Sequence, residues 1–177
     1  VRTYDKNKEF TKSFAFRMKT DAEPKLTKNT GFYERTSKLT RNFVVARGYW
    51  LPNDYTKHGV INEYTACREK AVVIDLSALR KFEILGPDAE ELMNYTLTRN
   101  VKKLSVGQVV YSSMCYDNGF MFDDGTLLKM SDHGFRWICG DEYAGEWLKE
   151  QAKKKNYKVR IKNSSDQISN ISLQGPN

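Results

Sequence analysis

Two adjacent aspartates, Asp123 and Asp124, follow an Asn118-Gly119 pair and sit between the apolar runs Phe120-Met121-Phe122 and Thr126-Leu127-Leu128. A charge placed inside an apolar stretch costs desolvation energy unless it is paired or used. Carboxylates so placed can stabilise positive charge or relay a proton; burial would raise their pKa, and a hydroxyl donor would counter the rise. Asn-Gly between strand-like runs predicts a hairpin, because a type I′ turn needs positive φ at both central residues. Strands are then expected over Val109 to Asp117 and Phe120 to Met130, joined by a two-residue loop. That register pairs Asp117 with Phe120, Cys115 with Phe122, Ser113 with Asp124 and Tyr111 with Thr126.

Neighbours along a strand point to opposite faces, so the two aspartates cannot share a proton. Phe120, Phe122, Thr126, Leu128 and Met130 fall with Asp124, whereas Met121, Gly125, Leu127 and Lys129 fall with Asp123. The bulkier face is the expected pocket wall. Asp124 is therefore the candidate for chemistry, with Tyr111 and Ser113 beside it, and Asp123 is expected to be solvated or paired with a lysine. The competing reading of Asp124 is an edge-strand carboxylate in water.

The elements that must hold this hairpin follow from periodicity. Val60 to Lys70 reads as a helix, Ala71 to Ile74 and Lys81 to Leu85 as short strands, and Ala89 to Leu97 as a helix launched by Gly86-Pro87-Asp88. A strand at Phe135 to Cys139 and a helix at Tyr143 to Lys154 follow the hairpin. A second strand-Gly-Pro unit, Ile171 to Asn177, lacks the helix it should launch, so the sequence reads as cut within a supersecondary unit. The mixed order predicts an α+β fold, antiparallel sheet covered by helices, and allows a ferredoxin-like arrangement. Residues 1–30 read as a basic N-terminal arm and 31–177 as the folded domain. Trp50 and Trp147 are expected to be packing anchors, Asp75 a brace for the loop after it, and Cys139 an inert buried thiol.

Composition bounds the function. The chain has 177 residues, 40% hydrophobic and 12% aromatic, with a formal charge of +7 spread along its length. Without a nucleic-acid motif, that charge predicts a well-solvated surface with affinity for anionic ligands rather than a nucleic-acid partner. Cys67, Cys115 and Cys139 lack CxxC spacing, and His58 and His133 lack metal-ligand spacing, so a reducing compartment and no metal are expected. No run approaches a membrane span; cytoplasm is the default.

The stretch from Phe32 to Pro176 resembles the N-terminal half of the glycine-cleavage T-protein (aminomethyltransferase) family. The resemblance is carried by Gly48-Tyr49-Trp50-Leu51-Pro52 with Tyr55, Ile61-Asn62-Glu63-Tyr64 with Arg68, Asp75-Leu76-Ser77, Phe82 to Ala89, and Thr98-Arg99-Asn100-Val101. Gly107 to Ser112 with Met114, Asn118-Gly119 with Asp123-Asp124, and Leu173-Gln174-Gly175-Pro176 complete it. The family binds tetrahydrofolate. The resemblance implies that Asp124 acts near the folate nitrogens that accept a one-carbon unit and that Tyr111 and Leu79 line the pterin pocket, with Ser113 on the same face. It also implies a folate-binding domain incomplete at its C-terminus.

Ala78-Leu79 replaces the usual His-Met, Gly119-Phe120 the double glycine, and Leu128 a tyrosine; the asparagine expected near Cys139-Gly140 is absent. These departures argue against the lipoyl-carrier reaction while leaving folate binding. They bring the chain closer to the folate-binding halves of dimethylglycine and sarcosine dehydrogenases and to folate-dependent demethylases. The expected function is transfer of a methylene or methyl group from a methylated amine or related donor to tetrahydrofolate. The alternatives are a non-catalytic folate-binding regulatory or repair-associated protein of the same fold, and a basic RNA-associated domain.

Overall fold

The computed structural model describes residues 27–177. In chain order these form strand β1 (Lys28–Asn29), helix α1 (Tyr33–Thr36), strands β2 (Phe43–Ala46) and β3 (Tyr49–Pro52), helix α2 (Gly59–Glu69), and strands β4 (Val72–Asp75) and β5 (Arg80–Leu85). Helix α3 (Ala89–Thr96), a 3-10 turn (Val101–Lys103), strands β6 (Val109–Cys115), β7 (Met121–Ser131) and β8 (Gly134–Cys139), helix α4 (Tyr143–Lys155), and strands β9 (Arg160–Asn163) and β10 (Ile171–Gln174) follow. They divide into two compact units: the described residues up to Ala78 together with Ser169–Asn177, and Leu79–Ile168. Most of the expected basic arm lies outside the described residues; Lys28 and Asn29, near its end, pair in parallel with Tyr49 and Trp50.

In the first unit, β2 and β3 form a hairpin closed by Arg47 and Gly48, both at positive φ (50° and 82°), which is the two-residue turn matching strand twist. Phe43 stacks on Trp50 across it, ring centroids 6.0 Å apart. Strand β10 pairs antiparallel with β4. Asp75 braces the loop after β4 as expected, accepting the Ser77 N–H at 2.9 Å and the Thr30 hydroxyl at 2.6 Å. Helix α2 buries no residue; Val60, Ile61 and Tyr64 are exposed despite their helical spacing.

The second unit is a five-stranded sheet in the order β6-β7-β8-β5-β9, antiparallel at every pairing. Without the edge strand β6, the sequence β5-α3-β7-β8-α4-β9 and its strand order are those of a ferredoxin-like fold. Helices α3 and α4 cover one face, where Phe82, Ile84, Leu92, Met93, Met114, Leu127, Phe135, Trp137 and Leu148 form the core. The helix seats closely because position 145 is glycine: a Cβ there would lie 2.3 Å from the Phe82 ring. Lys129 of β7 reaches Glu90 of α3 at 2.6 Å, tying sheet to helix at the margin of the core.

The hairpin departs from its predicted form in two places that cancel. Gly119 has φ 84°, but Asn118 does not lie at positive φ; the Gly119 N–H donates to the Tyr116 carbonyl and the Tyr116 N–H to the Phe120 carbonyl. The loop therefore has three residues, Asp117 to Gly119, and shifts the register to Cys115 opposite Met121. Phe122 is then an extra residue, a β-bulge, and beyond it Met114 faces Asp123, Ser113 faces Asp124 and Tyr111 faces Thr126, the last two as predicted. The bulge takes Phe122 away from its predicted Cys115 partner and into a cluster with Tyr116, Tyr143 and Trp147.

The expectation for the two faces is reversed. Asp123, Gly125, Leu127 and Lys129 are buried, whereas Asp124, Thr126 and Leu128 are half-buried and Phe120 and Met130 exposed. Bulk on the Asp123 face comes from neighbouring elements: Trp137 leans over Gly125, where a Cβ would meet the ring at 3.1 Å and the Ile138 carbonyl at 2.1 Å. Asp123 is neither solvated nor paired with a lysine. At 8% exposure it accepts backbone N–H groups from Asp124 (2.9 Å), Gly140 (3.3 Å) and Asp141 (3.1 Å), fixing the chain between β8 and α4. Next to it, burial and then the Asp123 charge push the Cys139 thiol well above the ordinary range, as expected of an inert thiol.

Replacing Asp123 by Ala strands these N–H groups and should cost about 3 kcal/mol in urea unfolding, with Asn recovering part of the loss. A cost below about 1 kcal/mol would show that the loop does not depend on the carboxylate. Iodoacetamide at neutral pH should alkylate Cys67 and Cys115, both partly exposed, and spare Cys139 until the protein is unfolded, as read by mass spectrometry.

Candidate functional site

Strand β6 lies at the edge of the five-stranded sheet, and its outer rim is capped locally. Leu97 bridges to Met114, the Thr98 N–H donates to the Ser113 carbonyl at 3.2 Å, and the Arg99 Nε–H donates to the Tyr111 carbonyl at 3.3 Å. With the edge thus held, Ser113 stands opposite Asp124, and Tyr111 sits diagonally to it on the same face, two residue pairs further along the ladder. Diagonal neighbours in a sheet are within reach of a long side chain. The Tyr111 hydroxyl donates to Oδ2 of Asp124, the contact that strand parity predicts.

The pair is electrostatically coupled. Donation to Asp124, first, then partial burial and the charges of Asp124 and Asp123 raise the Tyr111 phenol above its ordinary value of 10.0. The hydroxyl thus stays protonated and keeps the carboxylate oriented. Among the described residues the other carboxylate oxygen, Oδ1, accepts no hydrogen bond. The aspartates are therefore unequal in a specific way: Asp123 has both oxygens committed to backbone, while Asp124 has one oxygen held by a phenol and one available. An available carboxylate oxygen on a half-buried sheet face can accept a proton from, or balance the charge of, a nitrogen brought against it.

The remaining expected site residues are arranged less tightly. Ser113 is half-buried opposite Asp124, its carbonyl serving the rim. Leu79 lies just before β5, two strand positions from β7, or roughly 10 Å across the sheet. It is half-buried, and its carbonyl accepts from the buried Lys81 ammonium at 2.8 Å. Arg99 is the neighbour that residue-by-residue reasoning left without a role. Its position within Thr98-Arg99-Asn100 was a visible signal, but its contact with the Tyr111 backbone follows only from the edge bridge.

The first unit holds a separate cavity of about 600 Å³, lined by Asp54, Tyr55, His58, Glu63 and Asp75 among others. Its carboxylates already serve the fold: Glu63 accepts the Tyr55 N–H at 2.6 Å, and Asp54 accepts the Asn42 amide. Burial, followed by the charges of Glu63 and Asp75, raises the Tyr55 phenol. No cluster of His, Cys, Asp and Glu able to hold a metal occurs among the described residues, and none of their helices is long and apolar enough to cross a membrane.

Comparison with known proteins extends this picture. The family model described as the GCVT N-terminal domain matches residues 32–177. The trimethylamine-oxide aldolase of Ruegeria pomeroyi is 52% identical over 176 residues, covering 99% of this chain and 22% of that protein. The aminomethyltransferase of Symbiobacterium thermophilum is 32% identical over 154 residues, covering 84% of this chain and 40% of its own length. In structure, the glycine cleavage system aminomethyltransferase T from Bartonella henselae superposes with a TM-score of 0.70 at 25% identity, covering 84% of this chain and 41% of that one. The chain thus spans between about a fifth and two fifths of the length of these relatives. A family match running from residue 32 to residue 177, on a shared fold, shows that the chain belongs to the glycine-cleavage T-protein family through its GCVT N-terminal domain.

Proposed function

We propose that the chain is the folate-binding part of a one-carbon transferase that moves a methylene or methyl group from a methylated amine or related donor to tetrahydrofolate. The observation that carries this reading is the asymmetric Asp124 carboxylate, one oxygen oriented by Tyr111 and the other uncommitted on a half-buried face. Its chemistry fits a folate, whose nitrogens need an acceptor for a proton or a counter-charge. Tetrahydrofolate would supply the nitrogen that receives the one-carbon unit. Asp124 would take or hold the proton at Oδ1 while Tyr111 keeps Oδ2 from rotating away, a positioned role worth about 10² to 10⁴ in rate. Ser113, Leu79 and the Tyr111 ring would supply the wall. Arg99 adds positive charge at the rim, favourable to an anionic tail and weakened by salt. The relative whose name specifies trimethylamine oxide supports a methylated amine as the class of donor.

In the intact protein, Asp124→Asn should leave tetrahydrofolate binding within a few-fold and lower turnover by about 10² or more, measured as methyl- or methylene-tetrahydrofolate formed from candidate donors. A variant as active as the parent would remove Asp124 from the reaction. Folate binding without turnover on any methylated amine would favour the regulatory reading.

The coupling has its own signature in pH. Because the folded-state phenol of Tyr111 is raised, the stabilisation from its contact with Asp124 is complete below the unfolded tyrosine value and fades as pH rises through the folded one. Asp124→Asn should therefore move one phenol titration to lower pH in the ultraviolet difference spectrum, with Tyr111→Phe identifying the band. An unchanged titration would mean that the hydroxyl does not donate to Asp124 in solution.

A further inference from the structure

Between the two β6 residues that stand beside Asp124 lies a serine whose hydroxyl is fully engaged. Ser112 is 4% exposed and shares the helix-covered face with Met114, while Tyr111 and Ser113 point the other way. Its hydroxyl donates to the Ser113 carbonyl at 3.2 Å, accepts the Arg99 backbone N–H at 3.3 Å and shares a hydrogen bond with the Thr98 hydroxyl at 3.2 Å. A serine hydroxyl has one proton and two lone pairs, so these three bonds fill it.

The same bonds fix the segment that caps the edge strand. Along β6 the carbonyls of Tyr111 and Ser113, two residues apart, both face the outer rim, where an edge strand leaves such groups without a ladder partner. The Thr98 N–H takes the Ser113 carbonyl at 3.2 Å, and the Arg99 Nε–H takes that of Tyr111 at 3.3 Å, a side chain replacing a ladder bond. Ser112 holds both donors, Thr98 through its hydroxyl and Arg99 through its backbone. Tyr111 has little else to place it: it is 58% exposed, and its bond to Asp124 runs diagonally across the ladder. A ring with few packing neighbours delivers its hydroxyl only as accurately as its backbone is held, and segments with few buried contacts are the ones that open most readily.

We propose that Ser112 is a positioning residue for the Tyr111–Asp124 pair: it anchors Thr98 and Arg99 against β6 and, through them, sets where the Tyr111 hydroxyl meets the carboxylate. The consequence for turnover rests on the one-carbon reading of that pair; the consequence for the pair itself does not.

The test is ultraviolet titration of the Tyr111 phenol in the intact protein, with Tyr111→Phe identifying the band. Ser112→Ala should move that titration to lower pH, part of the way to its position in Asp124→Asn, because a loosened rim weakens donation to the carboxylate. Thr98→Val, at an exposed position, should move it in the same direction, and the double variant should move it no further than Ser112→Ala alone. If Ser112→Ala does not fold, Thr98→Val carries the test by itself. Ile161→Ala, at the opposite edge of the sheet, should lower the melting temperature and leave the phenol in place. Turnover with tetrahydrofolate should fall by roughly 10- to 100-fold in Ser112→Ala. A phenol titration unmoved by the rim variants, or moved as far by Ile161→Ala, would overturn the proposal and leave Ser112 a structural tie between helix and sheet. Unchanged turnover in Ser112→Ala, where Asp124→Asn abolishes it, would overturn the catalytic part. If the rim variants move the phenol while Asp124→Asn leaves turnover intact, the positioning stands and the one-carbon reading falls.

Discussion

The chemistry available on the β6–β7 hairpin depends on a single extra residue. In a strand pair, a slip of one position exchanges the faces of every side chain beyond it. Here the three-residue turn introduces such a slip and the bulge at Phe122 removes it. Continued without the bulge, the register next to the turn would set Asp123, rather than Asp124, opposite Ser113. The buried backbone cap and the phenol-bound carboxylate would then exchange roles. What holds the bulge is aromatic packing, with Phe122 centroids 4.7 to 5.7 Å from Tyr116, Trp147 and Tyr143. Helix α4 thus controls, through one phenylalanine, which aspartate meets Tyr111.

That arrangement also explains what the residues alone could reveal. Apart from β9 and the 3-10 turn, the elements from α2 onward were legible within a residue or two, because most have clear periodicity and a Gly, Pro or Asn boundary. Pairing of Ser113 with Asp124 was legible as well, although through two departures that cancel. The β2–β3 hairpin was not, since its turn puts Arg47 at positive φ, where arginine gives no compositional warning. Nor was β9, whose Arg160-Ile161-Lys162-Asn163 offers a single apolar residue to alternate. The reversed faces have a similar cause. Local bulk on β7 pointed to the Asp124 side, whereas burial was decided by Trp137 and the helices, which arrive from elsewhere in the chain. Asp123 reaches N–H groups 17 and 18 residues away, a contact invisible to local reading.

Among the carboxylates of the five-stranded sheet, commitment of the oxygens separates scaffold from candidate site. Asp123 and the Glu83 carboxylate, which accepts from Arg136 and Ser164, spend their lone pairs on the fold. Asp124 Oδ1 does not. Burial strengthens the satisfied bonds of Asp123 and rigidifies the chain around them, whereas Asp124 stands at a half-buried face beside the exposed Tyr111.

The pairing of β10 with β4 has a consequence for how the chain folds. Ile171 lies opposite Asp75, with the whole second unit threaded between them. Closing a flexible loop of roughly 100 residues costs about 4 kcal/mol in chain entropy, a penalty that a short two-stranded ladder repays poorly. The second unit is continuous in sequence and has its own core, so it can collapse first and replace that long floppy loop with a short folded bridge. On this account the first unit is kinetically the dependent one, completed last by strand β10, and damage to the ferredoxin-like unit should be felt as slow closure of its neighbour.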